Sequence, residues 1–264
     1  MMEDNITIEE VNGLEKVALI DADSILYYCC KAGLEFHEVK AKLDRFMKEI
    51  LGAVGCTKYV AFTSDSDSFR KKIGFTRPYK GNRSGRETPE LLYALKAYAQ
   101  REWGFYTVPG FEADDCVSLW RDKGIICSPD KDVLRQIPGL HYNYQRAEFI
   151  RTTEEEAFRF LWLQTAAGDS VDGVPGIPGI GMKKAEDAIG FLVEEDIPLK
   201  VLQMYITSFK DTEGFKAAAD RFKEALDLVY LLRDQRDLER LGLEMPILKI
   251  HSLSTRQWDT EKEE

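Results

Sequence analysis

An α/β fold, with a mainly parallel central sheet flanked by helices and a helical C-terminal part, is what this sequence of 264 residues predicts. Three observations carry that reading. Short apolar runs alternate with helix-length stretches, the pattern of strands joined by crossover helices. Acidic residues recur where the apolar runs stop. From Thr153 onward only helical patterns remain, so a second unit begins there. The expected boundaries are 1–152 for the α/β core, with a basic segment at 68–104, and 153–264 for the helical part.

The elements follow in order. Lys16–Ile20 reads as a buried strand ending at Asp21. Glu38–Leu51 carries apolar residues at 39, 43, 46, 47, 50 and 51, the spacing of an amphipathic helix. Tyr59–Phe62 is a second strand, and Thr88-Pro89 supplies a cap and first-turn proline for a helix ending near Gly104. Phe105–Val108 is a third strand, Glu112–Lys123 a helix closed by Gly124, and Ile125–Cys127 a fourth strand. A capping box at Thr153/Glu156 opens a helix to about Ala167. The N-terminus is acidic and lacks the apolar run of a secretory signal. No run of 18 apolar residues predicts a membrane span. Five cysteines without a C-x-x-C pair fit reduced thiols of a cytoplasmic protein.

Acids cluster at Asp21/Asp23, Asp65/Asp67, Glu112/Asp114/Asp115, Asp130/Asp132 and Asp169/Asp172. A parallel sheet gathers its carboxyl ends on one edge, where sites form. So many carboxylates stay ionised together only if cations neutralise them, and hard divalent ions, Mg²⁺ or Mn²⁺, suit oxygen ligands. His37, His141 and His251 are scattered and offer no softer site.

Residues 70–86 hold seven cations (Arg70, Lys71, Lys72, Arg77, Lys80, Arg83 and Arg86) and no acid, with Tyr79 interleaved. Such a segment beside an anionic metal site suits a phosphodiester. Gly176, Gly179 and Gly181 precede a helix starting near Met182. Glycines permit close backbone approach, and the helix N-terminus with Lys183 and Lys184 attracts phosphate. The G-x-x-G-x-G order after a helix is not a dinucleotide fingerprint.

Taken in chain order, Asp21, Tyr79-Lys-Gly-Asn-Arg83, Glu112-Ala-Asp-Asp115, Asp130-Lys-Asp132 and Gly168-Asp-Ser-Val-Asp-Gly-Val-Pro-Gly-Ile-Pro-Gly-Ile-Gly181 resemble the 5′-nuclease (flap endonuclease-like) superfamily, over roughly residues 16–190. In appearance the chain is most similar to bacteriophage 5′→3′ exonucleases. The resemblance implies a PIN-like fold and a helix–three-turn–helix motif at 169–190 that grips duplex DNA and in relatives binds K⁺ through main-chain carbonyls. It implies that Asp21, Asp65, Glu112, Asp114, Asp115, Asp130, Asp132, Asp169 and Asp172 hold two divalent ions, with Asp65 favoured over Asp67 and the part of Asp23 open. Arg70, Lys80 and Arg83 then contact the scissile phosphate. The expected partners are DNA with a 5′ end, nick, gap or flap, and RNA paired with DNA; the expected state is a monomer in the cytoplasm of a host bacterium. Residues 70–88 are short for the arch that threads 5′ ends in relatives.

Two other readings compete. In a haloacid-dehalogenase-like phosphatase Asp21 is the nucleophile and Asp23 the general acid, but the Glu112–Asp115 cluster has no place there. A non-catalytic structure-specific DNA-binding protein needs the acids lost, and they are present. The net charge of −10 argues against a generally basic DNA-coating surface, yet setting aside the nine expected ligands leaves 36 cations against 37 acids.

Overall fold

The computed structural model describes residues 17–30, 33–83, 85 and 87–253. Lys16 and Arg86 lie outside them. In chain order the first half runs β1 (Val17–Asp21), α1 (Asp23–Cys29), α2 (Phe36–Ala53), β2 (Lys58–Thr63), α3 (Arg70–Ile73), α4 (Leu92–Trp103), β3 (Tyr106–Thr107), α5 (Ala113–Leu119), β4 (Gly124–Cys127), α6 (Lys131–Gln136) and the hairpin β5 (Gly139–Asn143) and β6 (Glu148–Thr152). The second half comprises α7 (Glu154–Ala167), a short hairpin of β7 (Gly168–Asp169) and β8 (Val174–Pro175), α8 (Met182–Ile189), α9 (Ile197–Glu213), α10 (Phe215–Val229), α11 (Gln235–Leu241) and β9 (His251–Ser252).

The sheet runs β3-β2-β1-β4-β5-β6, with β9 on the outer edge of β2. Its pairs β3–β2, β2–β1, β1–β4 and β4–β5 are parallel; β5–β6 and β2–β9 are antiparallel. Ile20 pairs with Ala61 on one side and Cys127 on the other, so Asp21, Ser64 and Ser128 emerge at one edge. Alternate strand residues feed opposite layers: Ala18, Ile20, Ala61 and Ile125 pack with α1, α2 and α4, while Val17, Leu19, Val60, Phe62 and Ile126 pack with α5, α6 and α11. A third cluster joins α7–α10 to Tyr79. The expected stripe of α2 is buried at Val39, Leu43, Met47, Ile50 and Leu51. Both hydrogen bonds of the Thr153/Glu156 capping box are present, and α7 ends at Ala167. All five cysteines are buried, with no disulfide among them. No helix among the described residues is long and apolar enough to cross a membrane.

Several elements differ from expectation, each for a local reason. Helix α4 starts at Leu92; Thr88 and Pro89 lie in the turn before it, where Leu92 N–H donates to Pro89 C=O at 3.0 Å. Helix α5 stops at Leu119, and Gly124 follows the separate 3-10 turn Arg121–Lys123. Gly124 opens β4 in an extended conformation, and a Cβ there would meet the Val17 carbonyl oxygen at 1.8 Å, so glycine is what lets β4 lie against β1. The region after Thr153 is not wholly helical: β7–β8 interrupts it, and β9 returns to the sheet through Lys58–Ser252 and Tyr59–His251 pairing.

Candidate active site

Helices α5 and α6 both begin at the carboxyl edge of the sheet and carry acids in their first turns, where helix dipoles favour negative charge. Glu112 precedes α5 without capping it. Ser64, at the end of β2, supplies that cap by accepting Ala113 N–H at 2.9 Å, which fixes α5 to the sheet edge. Asp130 caps α6 by accepting Asp132 N–H at 2.8 Å. Asp169 sits on β7, and its Oδ1 accepts Val171 and Asp172 N–H at 2.7 and 3.2 Å, shaping the turn that presents Asp172.

One cleft is lined by Asp114, Asp132, Asp169 and Asp172 together with Gln164, Tyr79 and Arg70. Ligand oxygens of Glu112, Asp114 and Asp115 lie within 4.8 Å of one another. The cost of gathering acids shows in their protonation. Burial, then Asp115 and Glu112, pushes Asp114 well above the carboxylate range. Burial, then Asp23 and Asp130, raises Asp21 to about 7, and burial with Asp130 raises Asp132 to about 6. Asp132 Oδ1 is buried and accepts no hydrogen bond; Lys131 Nζ stands 3.4 Å away. A buried carboxylate oxygen without a donor, among acids held partly neutral, fits a divalent cation bound through oxygen.

The cations are distributed among the same acids. Lys80 Nζ donates to Glu112 and lies 3.7 Å from Asp172, and Arg83 donates to Asp172. Lys131 Nζ donates to Asp169 at 2.8 Å. Burial works to raise Asp169 and Glu112, but Lys131 outweighs it at the first, and Arg70 and Lys80 at the second, so both are lowered. Lys80 has φ of 54°, in the left-handed region, held by its N–H donating to Asp172 C=O at 2.7 Å. Asn82 Nδ2 donates to the carbonyls of Ser170 and Val171 at 2.9 and 3.0 Å. The basic segment is thereby fastened to the β7–β8 turn.

Three expected roles, those of Arg70, Tyr79 and Asp65, do not match the placement. Arg70 is 1 % exposed and cannot reach a phosphate: its five N–H donors serve Leu228 C=O, Tyr230 C=O, Glu112 and, twice, Asp115. Asp115 accepts from Arg70 through both oxygens and from Leu232 N–H through one, and it stays within the acid cluster of Glu112 and Asp114. Tyr79 is buried rather than turned to DNA, its hydroxyl lying 2.9 Å from Glu112 and 3.2 Å from Asp172. Asp65 accepts the N–H groups of Gly110 (2.7 Å) and Asp67 (3.1 Å), which lower it; it shapes a turn, whereas Asp23 is the acid that acts on Asp21.

Lys71, Lys72 and Arg77 are exposed, as are Gly179, Gly181, Lys183 and Lys184. Gly181 precedes the first turn of α8. Gly176 serves internal packing, since a Cβ there would lie 2.2 Å from the Ala167 carbonyl carbon. The Gly179 carbonyl accepts Lys184 Nζ at 2.8 Å. Sequence reading missed Lys131, between two acids in Asp130-Lys-Asp132, and Ser128, whose hydroxyl donates to Asp21 at 2.8 Å. It also missed Glu224, which accepts Phe75 and Thr76 N–H at 2.7 Å and anchors the basic segment to α10.

Comparison with known proteins follows the same lines. No family model matches the chain. DNA polymerase I of Rhizobium leguminosarum is 31% identical over 208 residues, 71% of this chain and 19% of that protein. A 5′-3′ exonuclease of Buchnera aphidicola is 27% identical over 212 residues, covering 71% of this chain and 70% of the relative. An exodeoxyribonuclease of Enterobacteria phage T3 is 30% identical over 182 residues, 64% of this chain and 58% of the relative. The chain thus spans a fifth of the polymerase and under two thirds of the T3 enzyme. Among solved structures, T5 5′-exonuclease with bound zinc superposes with a TM-score of 0.62 at 18% identity, over 85% of this chain and 96% of that one. A second T5 structure, co-crystallised with metal ions, gives 0.64 at 17% identity, over 85% of this chain and 96% of that one. With the mainly parallel sheet, the helical C-terminal part and the acids at the strand ends, the chain has the fold of T5 5′-exonuclease and fits the 5′-nuclease superfamily, and its sequence is similar to proteins named as 5′-3′ exonuclease and exodeoxyribonuclease.

Proposed function

We propose that the protein is a metal-dependent 5′→3′ exonuclease that hydrolyses phosphodiester bonds of duplex DNA from 5′ ends. The observation that carries it is the cleft in which Asp114, Asp132, Asp169 and Asp172 converge beside Lys80 and Arg83. Asp21, Glu112, Asp114, Asp130, Asp132, Asp169 and Asp172 are the residues to hold two Mg²⁺ or Mn²⁺ ions. Bound there, divalent ions lower the pKa of a water and stabilise attacking and leaving oxygens.

The chain's own part is electrostatic and positional. Lys80 and Arg83 exchange their carboxylate partners for the phosphoryl oxygens, on which charge develops. Arg70 and Tyr79 hold Glu112 and Asp115 in place from inside the protein. The N-terminus of α8, with Lys183 and Lys184, takes a duplex phosphate without reading bases. A K⁺ ion on the carbonyls of 176–181 competes with Lys184 for the Gly179 oxygen. The relatives named as exonucleases support this reading, and RNA paired with DNA is a second substrate to test. The two units at 1–152 and 153–264 act together in it, since acids come from both.

The test is release of label from 5′-labelled duplex with Mg²⁺ or Mn²⁺. Asp114→Asn and Asp169→Asn are expected to abolish release while leaving DNA binding within a few-fold. Absence of release by the native chain at every metal concentration overturns the reading.

A further inference from the structure

A cavity of about 440 Å³ opens between α6, the β5–β6 hairpin and the first turn of α7. This is within the range of about 300–1,000 Å³ that holds small ligands. Leu134 and Ile150 give it apolar walls, and four cations line it: Lys131, Arg135, Arg146 and Arg151. One acid, Glu156, also lines it, and its carboxylate is engaged by Thr153 N–H at 2.8 Å. Arg146 has Glu148 at 3.6 Å. Among the described residues Arg135 and Arg151 make no ion pair; the Arg135 guanidinium lies over the Phe160 ring, 4.3 Å from its centroid. In a chain of net charge −10, a concave site with two unpaired guanidinium groups is unusual. Lys131 forms the wall shared with the acid cleft, because its Nζ bonds Asp169.

We infer that this cavity binds the phosphomonoester of a nucleotide, with Arg135 and Arg151 holding the phosphate and the Leu134–Ile150 surface taking the apolar face of the base. Arginine suits this role through its planar fork of donors. The choice of a nucleotide rests on the nuclease reading, since hydrolysis from a 5′ end yields such a group; the anion site itself stands on the cavity and its charge. The two sources of one chemistry are a free nucleoside 5′-monophosphate and a 5′-phosphorylated strand end.

The experiment is calorimetric titration of the intact protein, in EDTA, with a deoxynucleoside 5′-monophosphate and with inorganic phosphate. One-to-one binding of the nucleotide is expected, tighter than phosphate, and weakened at least tenfold in the Arg135→Ala/Arg151→Ala variant. Arg151→Gln, at an exposed position without an ion-pair partner, is the second variant and is expected to weaken binding several-fold with an unchanged melting temperature. Competition by a 5′-phosphorylated but not a 5′-hydroxyl oligonucleotide identifies the strand end as the source; lack of competition identifies the free nucleotide. No nucleotide binding by the native protein, equal affinity for phosphate and nucleotide, or affinity unchanged in both variants overturns the inference. Because the readout is binding without metal, failure of the nuclease assay leaves this test standing.

Discussion

Arg70 spends its whole guanidinium inside the protein. Two carbonyls at the end of α10 and the acids flanking the start of α5 meet on its five donors, so one side chain couples the α/β layer to the helical part. Removing one partner of a buried ion pair leaves the other charge uncompensated, at a cost of about 3–5 kcal/mol. Arg70→Ala is therefore expected to lose roughly that much stability in urea denaturation, and Arg70→Lys to recover little, because an ammonium offers three donors in place of a planar fork. Lys80→Ala should behave in the opposite way. Its partners Glu112 and Asp172 keep Arg70 and Arg83, so stability falls less than in Arg70→Ala, while turnover drops on the order of 10²-fold, as for loss of one group stabilising developing charge. A Lys80→Ala variant with full activity would contradict its proposed place beside the phosphate.

At the scale of elements, the β7–β8 hairpin and α8 divide two tasks that look alike in sequence. Gly176 lies against the Ala167 backbone, whereas Gly179 has φ of 74° with open space around it. Gly176→Ala should disrupt the hairpin and abolish activity; Gly179→Ala should cost only about 1–2 kcal/mol of left-handed strain in melting experiments. Lys183→Ala/Lys184→Ala should weaken DNA binding across all sequences and make its salt dependence shallower by about one to two in log–log slope. Strands β1, β2 and β4 and helices α2, α7 and α8 were legible because apolar runs, a regular stripe, a capping box and glycines before a helix start each have a local cause. The β5–β6 hairpin was not. Its turn, Tyr144-Gln-Arg-Ala147, contains no glycine, and Ala147 takes φ of 53°, a position where sequence reasoning looks for Gly or Asn. Of the site, the acids could be read from their positions at strand ends. The inward turn of Arg70 and Tyr79 could not, because it depends on the α10 carbonyls and Asp172, at least 93 residues away.

Across the whole molecule the acids divide by the direction in which folding moves their proton affinity. Asp21 at about 7 and Asp132 at about 6 are raised by burial and by other acids; Glu112, Asp169 and Asp65 are lowered by cations or N–H groups. For the raised pair the native state binds protons more tightly than the unfolded chain, so their contribution is full below pH about 4 and is lost as pH rises toward 7. The lowered acids act oppositely and only below pH about 4. Between these limits the metal-free protein should melt at progressively lower temperature as pH rises. Mg²⁺ or Mn²⁺ should raise the melting temperature, and by more at pH 8 than at pH 6, because the ion displaces protons from Asp21 and Asp132. A metal-induced shift independent of pH would count against those two acids as ligands.

The edge pairing of β9 with β2 also governs when the protein becomes whole. Tyr59 waits for His251, whose ring packs against it at 5.8 Å, tilted by 34°, and fills the space that only a glycine at 104 leaves open. Leu231, Leu232 and Leu238 likewise finish the layer under Val17, Leu19 and Phe62. Contacts of such sequence separation form late, since the intervening loop must close first. On the ribosome, the first strand is made about 220 residues before Leu238 completes its layer, so an acid cleft assembled from both halves stays unformed until late in synthesis. The growing chain therefore acquires its charge-dense centre only after its helical part has emerged.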